Sequence, residues 1–185
     1  MNKPQKPCPA PARTRRLFFA IWPDESARTA LVHATRKATK VSGGRPIPVA
    51  NLHSTLAFLG SVAEERMPQV TAVPAGLDLP SFELVFDQLE HWPRPALLCA
   101  VCSRPPAAAA EMVAELWKLL VKQGFAPETK PYRPHVTLAR KVARPHEVGV
   151  LHPVAWRVSG IALVESITAP EGSQYTMLES WPLRA

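Results

Sequence analysis

The 185-residue chain is short of several things, and each shortage excludes a class of protein. No apolar run approaches the roughly 18 residues that a membrane-spanning helix needs, so no membrane span is expected. The start, MNKPQKPCPAPARTRR, carries charges and prolines but no hydrophobic stretch ahead of a cleavage site, so no secretory signal is read. Cysteine is scarce, with three residues; the odd number argues against a disulfide framework and for a reducing cytoplasm. Cys99 and Cys102 form a C-x-x-C, but inside LLCAVC, which reads as a buried strand. A redox pair belongs at a helix N-terminus, where the dipole lowers the thiol pKa. A zinc site would need a second ligand pair, which the sequence does not offer. Both cysteines are therefore read as small core residues.

Acidic residues are missing from one place in particular. Residues 1–16 contain none, while Lys3, Lys6, Arg13, Arg15 and Arg16 supply five of the seven net positive charges. The other 17 bases face 15 acids, a net of only +2 over residues 17–185. Coating an extended phosphate backbone normally takes a larger basic surface, whereas recognising one terminal phosphate does not. Residues 1–16 are read as a disordered, basic, Pro-rich tail, and residues 17–185 as a single domain of ordinary size and composition.

Along that domain LFFAIW (17–22) reads as a strand. Pro23 and Asp24 then open a helix over roughly 24–40. Residues 52–59 alternate like a strand, and a short helix follows near 63–73. FELVFDQLEHW (82–92) and ALLCAV (96–101) flank a Pro-Arg-Pro turn as a hairpin. AAAAEMVAELWKLLVKQG is the clearest helix, with proline before it and Gly124 at its end. PYRPHVTLAR carries a further strand, and 158–166 with 174–183 complete a second hairpin. Each half thus holds one helix and one His-x-Thr strand, so the expected class is α+β, with two pseudo-symmetric lobes of antiparallel sheet plus helices around a central cleft.

What the sequence has in duplicate is a phrase. HSTLAFLG begins at His53 and HVTLAR at His135, so His-x-Thr-Leu-Ala is written twice. With 10 Thr, 19 Leu and 26 Ala in the chain, a given His is followed by T-L-A at those places roughly once in a thousand. Two such hits among six His would arise on the order of once in 100,000 unrelated chains.

Side chains at i and i+2 of a strand share a face, so His53 lies with Thr55 and His135 with Thr137. Should the two strands meet near a pseudo-twofold axis, two imidazoles and two hydroxyls converge on one point. That arrangement suits a phosphate: the hydroxyls hold non-bridging oxygens, one His takes a proton from attacking water, and the other gives one to the departing oxygen. Imidazole serves both roles because its ordinary pKa is near 6.5. Neither motif has a Cys or Ser nucleophile on the His face, since Ser54 points the other way. His33, His91, His146 and His152 lack this context and read as surface or structural residues.

These residues resemble the 2H phosphoesterase superfamily, named for two H-x-[ST] motifs, and within it the bacterial and archaeal RNA 2′,3′-cyclic phosphodiesterases, also called 2′-5′ RNA ligases. The resemblance runs from RLFFAIW through NLHSTLAFLG and RPHVTLARKV to GSQYTMLESWPL. It implies a bilobal α+β fold and a hydrolase needing no metal or other cofactor, which opens RNA 2′,3′-cyclic phosphate ends to leave a 2′-phosphate. His53 would be the general acid on the leaving O3′ and His135 the general base on water. Thr55 and Thr137 would bind the phosphate, and Phe58 and Arg140, each five residues past its His, would contact base or phosphate. Simple strand parity turns those last two away from the cleft, so their roles require the strand to twist or end there. The expected partner is an RNA 3′ end or nucleotide bearing a cyclic phosphate, and the protein is expected to be a cytoplasmic monomer with weak reversible 2′-5′ ligation. Alternatives are a phosphodiesterase for 2′-5′ oligonucleotides or small cyclic nucleotide phosphates, and a non-catalytic RNA-end-binding module. The stretch RPIPVANLH lacks the tryptophan-containing lead-in of many relatives, so the loop near Arg45 is expected to differ.

Overall fold

The computed structural model describes residues 13–143, 148–169 and 172–185. Its first strand, β1 (Thr14–Ile21), is completely buried from Leu17 onward. Asp24 then caps α1 (Glu25–Val41), its carboxylate accepting the Ala27 N–H at 2.7 Å, which satisfies one of the donors that a helix start leaves open. Ala27, Leu31, Thr35 and Ala38 form the buried stripe of that helix. Thr35 tolerates burial because its hydroxyl donates back to the Leu31 carbonyl. The second long helix, α3 (Ala107–Lys122), starts behind Pro106 and buries Met112, Leu116 and Leu120. Between them α2 (Met67–Ala72) is a short connector continued by single 3₁₀ turns.

The strands form two antiparallel sheets. In the first the order is β3 (Ser54–Ala63), β1, β8 (Gly160–Ala169) and β9 (Gly172–Pro182). In the second it is β2 (Arg45–Pro46), β6 (His135–Arg140), β5 (Leu97–Val101), β4 (Phe82–Trp92) and β7 (Gly149–Val158). Each sheet contains a strand–helix–strand unit, β1–α1–β3 in one and β5–α3–β6 in the other, whose last strand carries a His-x-Thr phrase beside the first. One apolar core, from Leu17 and Phe19 through Leu98, Leu116 and Leu138 to Trp156 and Leu163, joins both sheets to the helices. A smaller cluster of Phe18, Ala20, Ala162 and Val164 lies apart from it. The α+β class and the two-lobed antiparallel architecture are as the sequence led us to expect.

Three local readings change. Strand β7 was not expected: Val154, Trp156 and Val158 alternate inward, but Pro153 interrupts the pattern. Proline is tolerated because β7 lies at the end of its sheet. Strand β1 begins at Thr14, inside the stretch read as tail, and Arg15 pairs with Glu165 of β8; residues 1–12 of that tail lie outside the described residues. His146 does too. Finally, Arg45 and Pro46 add a two-residue edge strand to β6, which is how the loop expected to differ is anchored.

Candidate active site

The Leu-Ala of each repeated phrase has a structural purpose. Along β1 and β3, Phe19 pairs with Ala57 and Ala20 with Thr55, so Leu56 is an extra residue on β3. Along β5 and β6, Leu98 pairs with Ala139 and Cys99 with Thr137, so Leu138 is extra on β6. Both are β-bulges, which reset the alternation of side chains. Accordingly the consecutive residues Leu56 and Ala57, like Leu138 and Ala139, all join the main core. The residue after each pair then returns to the face of the His and Thr. Strand parity alone turned Phe58 and Arg140 away; the bulges bring both back.

Strands β3 and β6 lie against one another. A cavity of about 660 Å³ between the lobes is lined by His53, Thr55 and Phe58 from one phrase and by His135, Thr137 and Arg140 from the other. All six residues singled out from the sequence thus reach one space. Phe58 stands at its edge, 64% exposed, with its ring centroid 5.7 Å from that of Phe18. The Arg140 guanidinium donates to the Tyr175 hydroxyl at 2.7 Å and to Ser173 Oγ at 3.4 Å.

The two imidazoles are held alike. His53 Nδ1 lies 2.7 Å from the Asn51 carbonyl oxygen and His135 Nδ1 lies 2.9 Å from that of Arg133, in each case two residues upstream. A carbonyl only accepts, so each Nδ1 carries the hydrogen, and the neutral tautomer leaves Nε2 as a free base. Each ring also rests on a tryptophan. Trp22 stacks on His53 at 4.9 Å and 12°, and Trp92 lies 4.5 Å from His135. Trp92 is braced in turn by Glu90, which accepts its indole N–H at 2.8 Å and also pairs with Arg133.

A sequence profile of the 2′-5′ RNA ligase superfamily matches residues 22–168. The chain belongs to that superfamily. Among its relatives, the RNA 2′,3′-cyclic phosphodiesterase of Thermus thermophilus is 34% identical, the match covering 91% of this chain and 90% of that one. The protein of the same name from Escherichia coli is 28% identical, over 91% and 97%. The apo crystal structure of E. coli LigT superposes with a TM-score of 0.83 at 28% identity, covering 93% of this chain and 99% of the other. A LigT structure complexed with 3′-AMP gives the same score. The family resemblance drawn from the two phrases is borne out.

Within this superfamily fold the electrostatics of the site follow from its enclosure. Burial pushes His53 down to about 4, opposed by its backbone hydrogen bond and aided by the charges of His135 and Arg140. His135 is also lowered, again mainly by burial. Both are therefore neutral near pH 7 in the free protein. Cys99 is paired with Thr137 across the sheet, and burial pushes its thiol up to about 12, opposed by the nearby Thr137 hydroxyl. Cys102 joins the main core whereas Cys99 does not. Cys99 lies on β5 and Cys102 one residue past its end, and only Cys102 packs into the main core, so the two thiols do not form a redox pair.

Sequence reasoning missed Trp22, Trp92, Asn51 and Tyr175. A partial signal existed for the tryptophans: Trp-Pro occurs three times, at Trp22, Trp92 and Trp181, each at or beside a strand's end, and the first two stand beside the His-x-Thr histidines. Tyr175, on β9, had no such marker; it reaches Phe18, His53 and Arg140 only through the sheet order.

Among the described residues, no helix is long and apolar enough to cross a membrane.

Proposed function

We propose that this protein hydrolyses the 2′,3′-cyclic phosphate at RNA 3′ ends and leaves a 2′-phosphate, without a metal ion. Water attacks phosphorus while His135 Nε2 takes its proton; the P–O3′ bond breaks and His53 Nε2 delivers a proton to O3′. Thr55 and Thr137 bind the non-bridging oxygens, Phe58 stacks on the terminal base, and Arg140 meets the phosphate or base edge. The same sequence, with a 5′-hydroxyl attacking in place of water, would join ends through a 2′-5′ linkage as a weak, reversible side activity.

The observation that carries this reading is the matched pair of Nδ1-tethered imidazoles lining one cavity. A depressed imidazolium is a strong acid, which suits His53 to the leaving oxygen. An anionic substrate offsets the cost of protonating it. The names of the relatives support the same substrate class.

The test is hydrolysis of a short RNA ending in a 2′,3′-cyclic phosphate, in chelator, with the position of the product phosphate determined. A 2′-phosphate is expected; a 3′-phosphate overturns the direction of cleavage, and binding without turnover overturns catalysis in favour of an end-binding module. Alanine at His53 or His135 is expected to lower kcat by about 10²–10⁴. A substrate whose leaving group needs no proton should restore His53→Ala but not His135→Ala; the opposite pattern exchanges the two roles.

A further inference from the structure

A second cavity, of about 410 Å³, shares a wall with the first. Arg140, Lys141 and Tyr175 belong to both, whereas Arg45 lines only the second, and neither imidazole nor Phe58 reaches it. Three cations thus line this space, and no carboxylate does among the described residues. Arg45 and Arg140 sit directly opposite each other on β2 and β6, within about 5 Å across the ladder. Neither Arg45 nor Lys141 has an acidic partner among the described residues.

Two local features accompany these cations. Lys141 has φ of +58°, a left-handed conformation that few residues other than Gly, Asn and Asp adopt without cost. Strain of that kind collects at binding sites. The Arg45 guanidinium also rests against Gly172 at the start of β9, where an added Cβ would meet it at van der Waals distance, 3.4 Å.

We infer that Arg45 and Lys141, with Arg140 shared, form a subsite for a second phosphate, the one attached to the 5′ oxygen of the terminal nucleotide. This rests on the reading of the first cavity as a cyclic-phosphate site. A cyclic phosphate placed between His53 and His135, with its base on Phe58, would extend its 5′ oxygen from C4′, at the other end of the ring oxygen from the base, toward the second cavity and Arg45. Thr137 and Arg140 are three residues apart on β6 with Leu138 bulged between them, so their Cα atoms lie roughly 7 Å apart, the scale that one ribose and a long side chain span. The protein therefore distinguishes a nucleotide in a chain from a bare nucleoside 2′,3′-cyclic phosphate.

Three substrates test this: adenosine 2′,3′-cyclic phosphate, the same compound with a 5′-phosphate, and a dinucleotide ending in the cyclic phosphate. The wild type should favour each substrate that bears a second phosphate by about tenfold in kcat/KM, chiefly through KM. Arg45→Gln and Lys141→Gly should each reduce that ratio severalfold, and Lys141→Gly should do so with a raised Tm, since glycine relieves the left-handed strain. A gain with the dinucleotide identifies an internucleotide phosphate as the ligand; a gain confined to the 5′-monophosphate identifies a terminal one. Equal kcat/KM on all three, or ratios that survive both substitutions, overturns the inference. Calorimetry with 3′-AMP and adenosine 3′,5′-bisphosphate reads the subsite without turnover. Loss of all hydrolysis with the bisphosphate still bound more tightly than 3′-AMP, and less so in the variants, would count against the proposed reaction and in favour of the subsite.

Discussion

Ser54 Oγ, inside the first repeated phrase, lies 3.3 Å from the Tyr132 hydroxyl, three residues before the second. Ser54 is fully buried, on the core side of β3, so this bond ties β3 from behind to the segment that leads into β6. Burial also pushes the Tyr132 phenol up to about 12, so it stays a neutral hydroxyl. Tyr132→Phe leaves the Ser54 hydroxyl without this partner, and a loss of about 1–3 kcal/mol is expected. Ser54→Ala with Tyr132→Phe should be less destabilising than the sum of the two, read from denaturant midpoints in a double-mutant cycle. A cycle with no coupling would show that the strands are held by packing alone.

Acid should weaken the fold through the same histidines that the proposed reaction uses. His53 falls to about 4 in the folded protein against about 6.5 when unfolded. Between those values the unfolded chain binds a proton that the folded one does not, so stability declines as pH drops from 6.5 toward 4, by at most about 1.4 kcal/mol per unit for this group. His135 contributes in the same direction. Replacing His53 with Asn should flatten this part of the stability profile. Added phosphate should move the NMR titrations of both rings upward, and titrations that do not respond would place the anion elsewhere.

Glu90 is expected to position His135 through Trp92 and Arg133, without touching substrate. Its carboxylate holds the Trp92 indole and Arg133, and its charge raises the proton affinity of His135. Glu90→Gln should lower kcat by up to about 10²-fold, the scale of a small misplacement. It should also shift the limb of the pH profile that belongs to His135 to lower pH. A fall in kcat with no such shift would mark a merely structural role.

Phe58 is 64% exposed, so Phe58→Ala should leave Tm nearly unchanged. A stacked base is worth about 1–3 kcal/mol, and KM for an RNA end should rise by roughly 5- to 150-fold, with Phe58→Tyr close to wild type. An unchanged KM would assign the ring to the rim and not to the substrate.

How much of this was legible beforehand differs by residue. Capped α1 and proline-started α3 were plain because their signals are local: Asp24, Pro106 and the apolar stripes all act within one helix. Strand β7 was missed because Pro153 disguises it, and its edge position, which excuses the proline, is a tertiary fact. The terminal hairpin was recognised as a pair, yet nothing in its residues says that β8 joins β1, which makes Tyr175 a neighbour of His53 and Arg140.

The sequence by itself determined that two His-x-Thr units exist, that each occupies a strand, and that each strand follows a helix, because periodicity and capping are short-range physics. Only the tertiary structure decided that the two units share one cavity, that Leu56 and Leu138 bulge to return Phe58 and Arg140 to it, and that burial lowers the proton affinity of both imidazoles there. Strand pairing sets register, and register depends on partners far away in the chain; burial comes from every element at once. A repeated phrase can be read from one line of residues, but its convergence cannot.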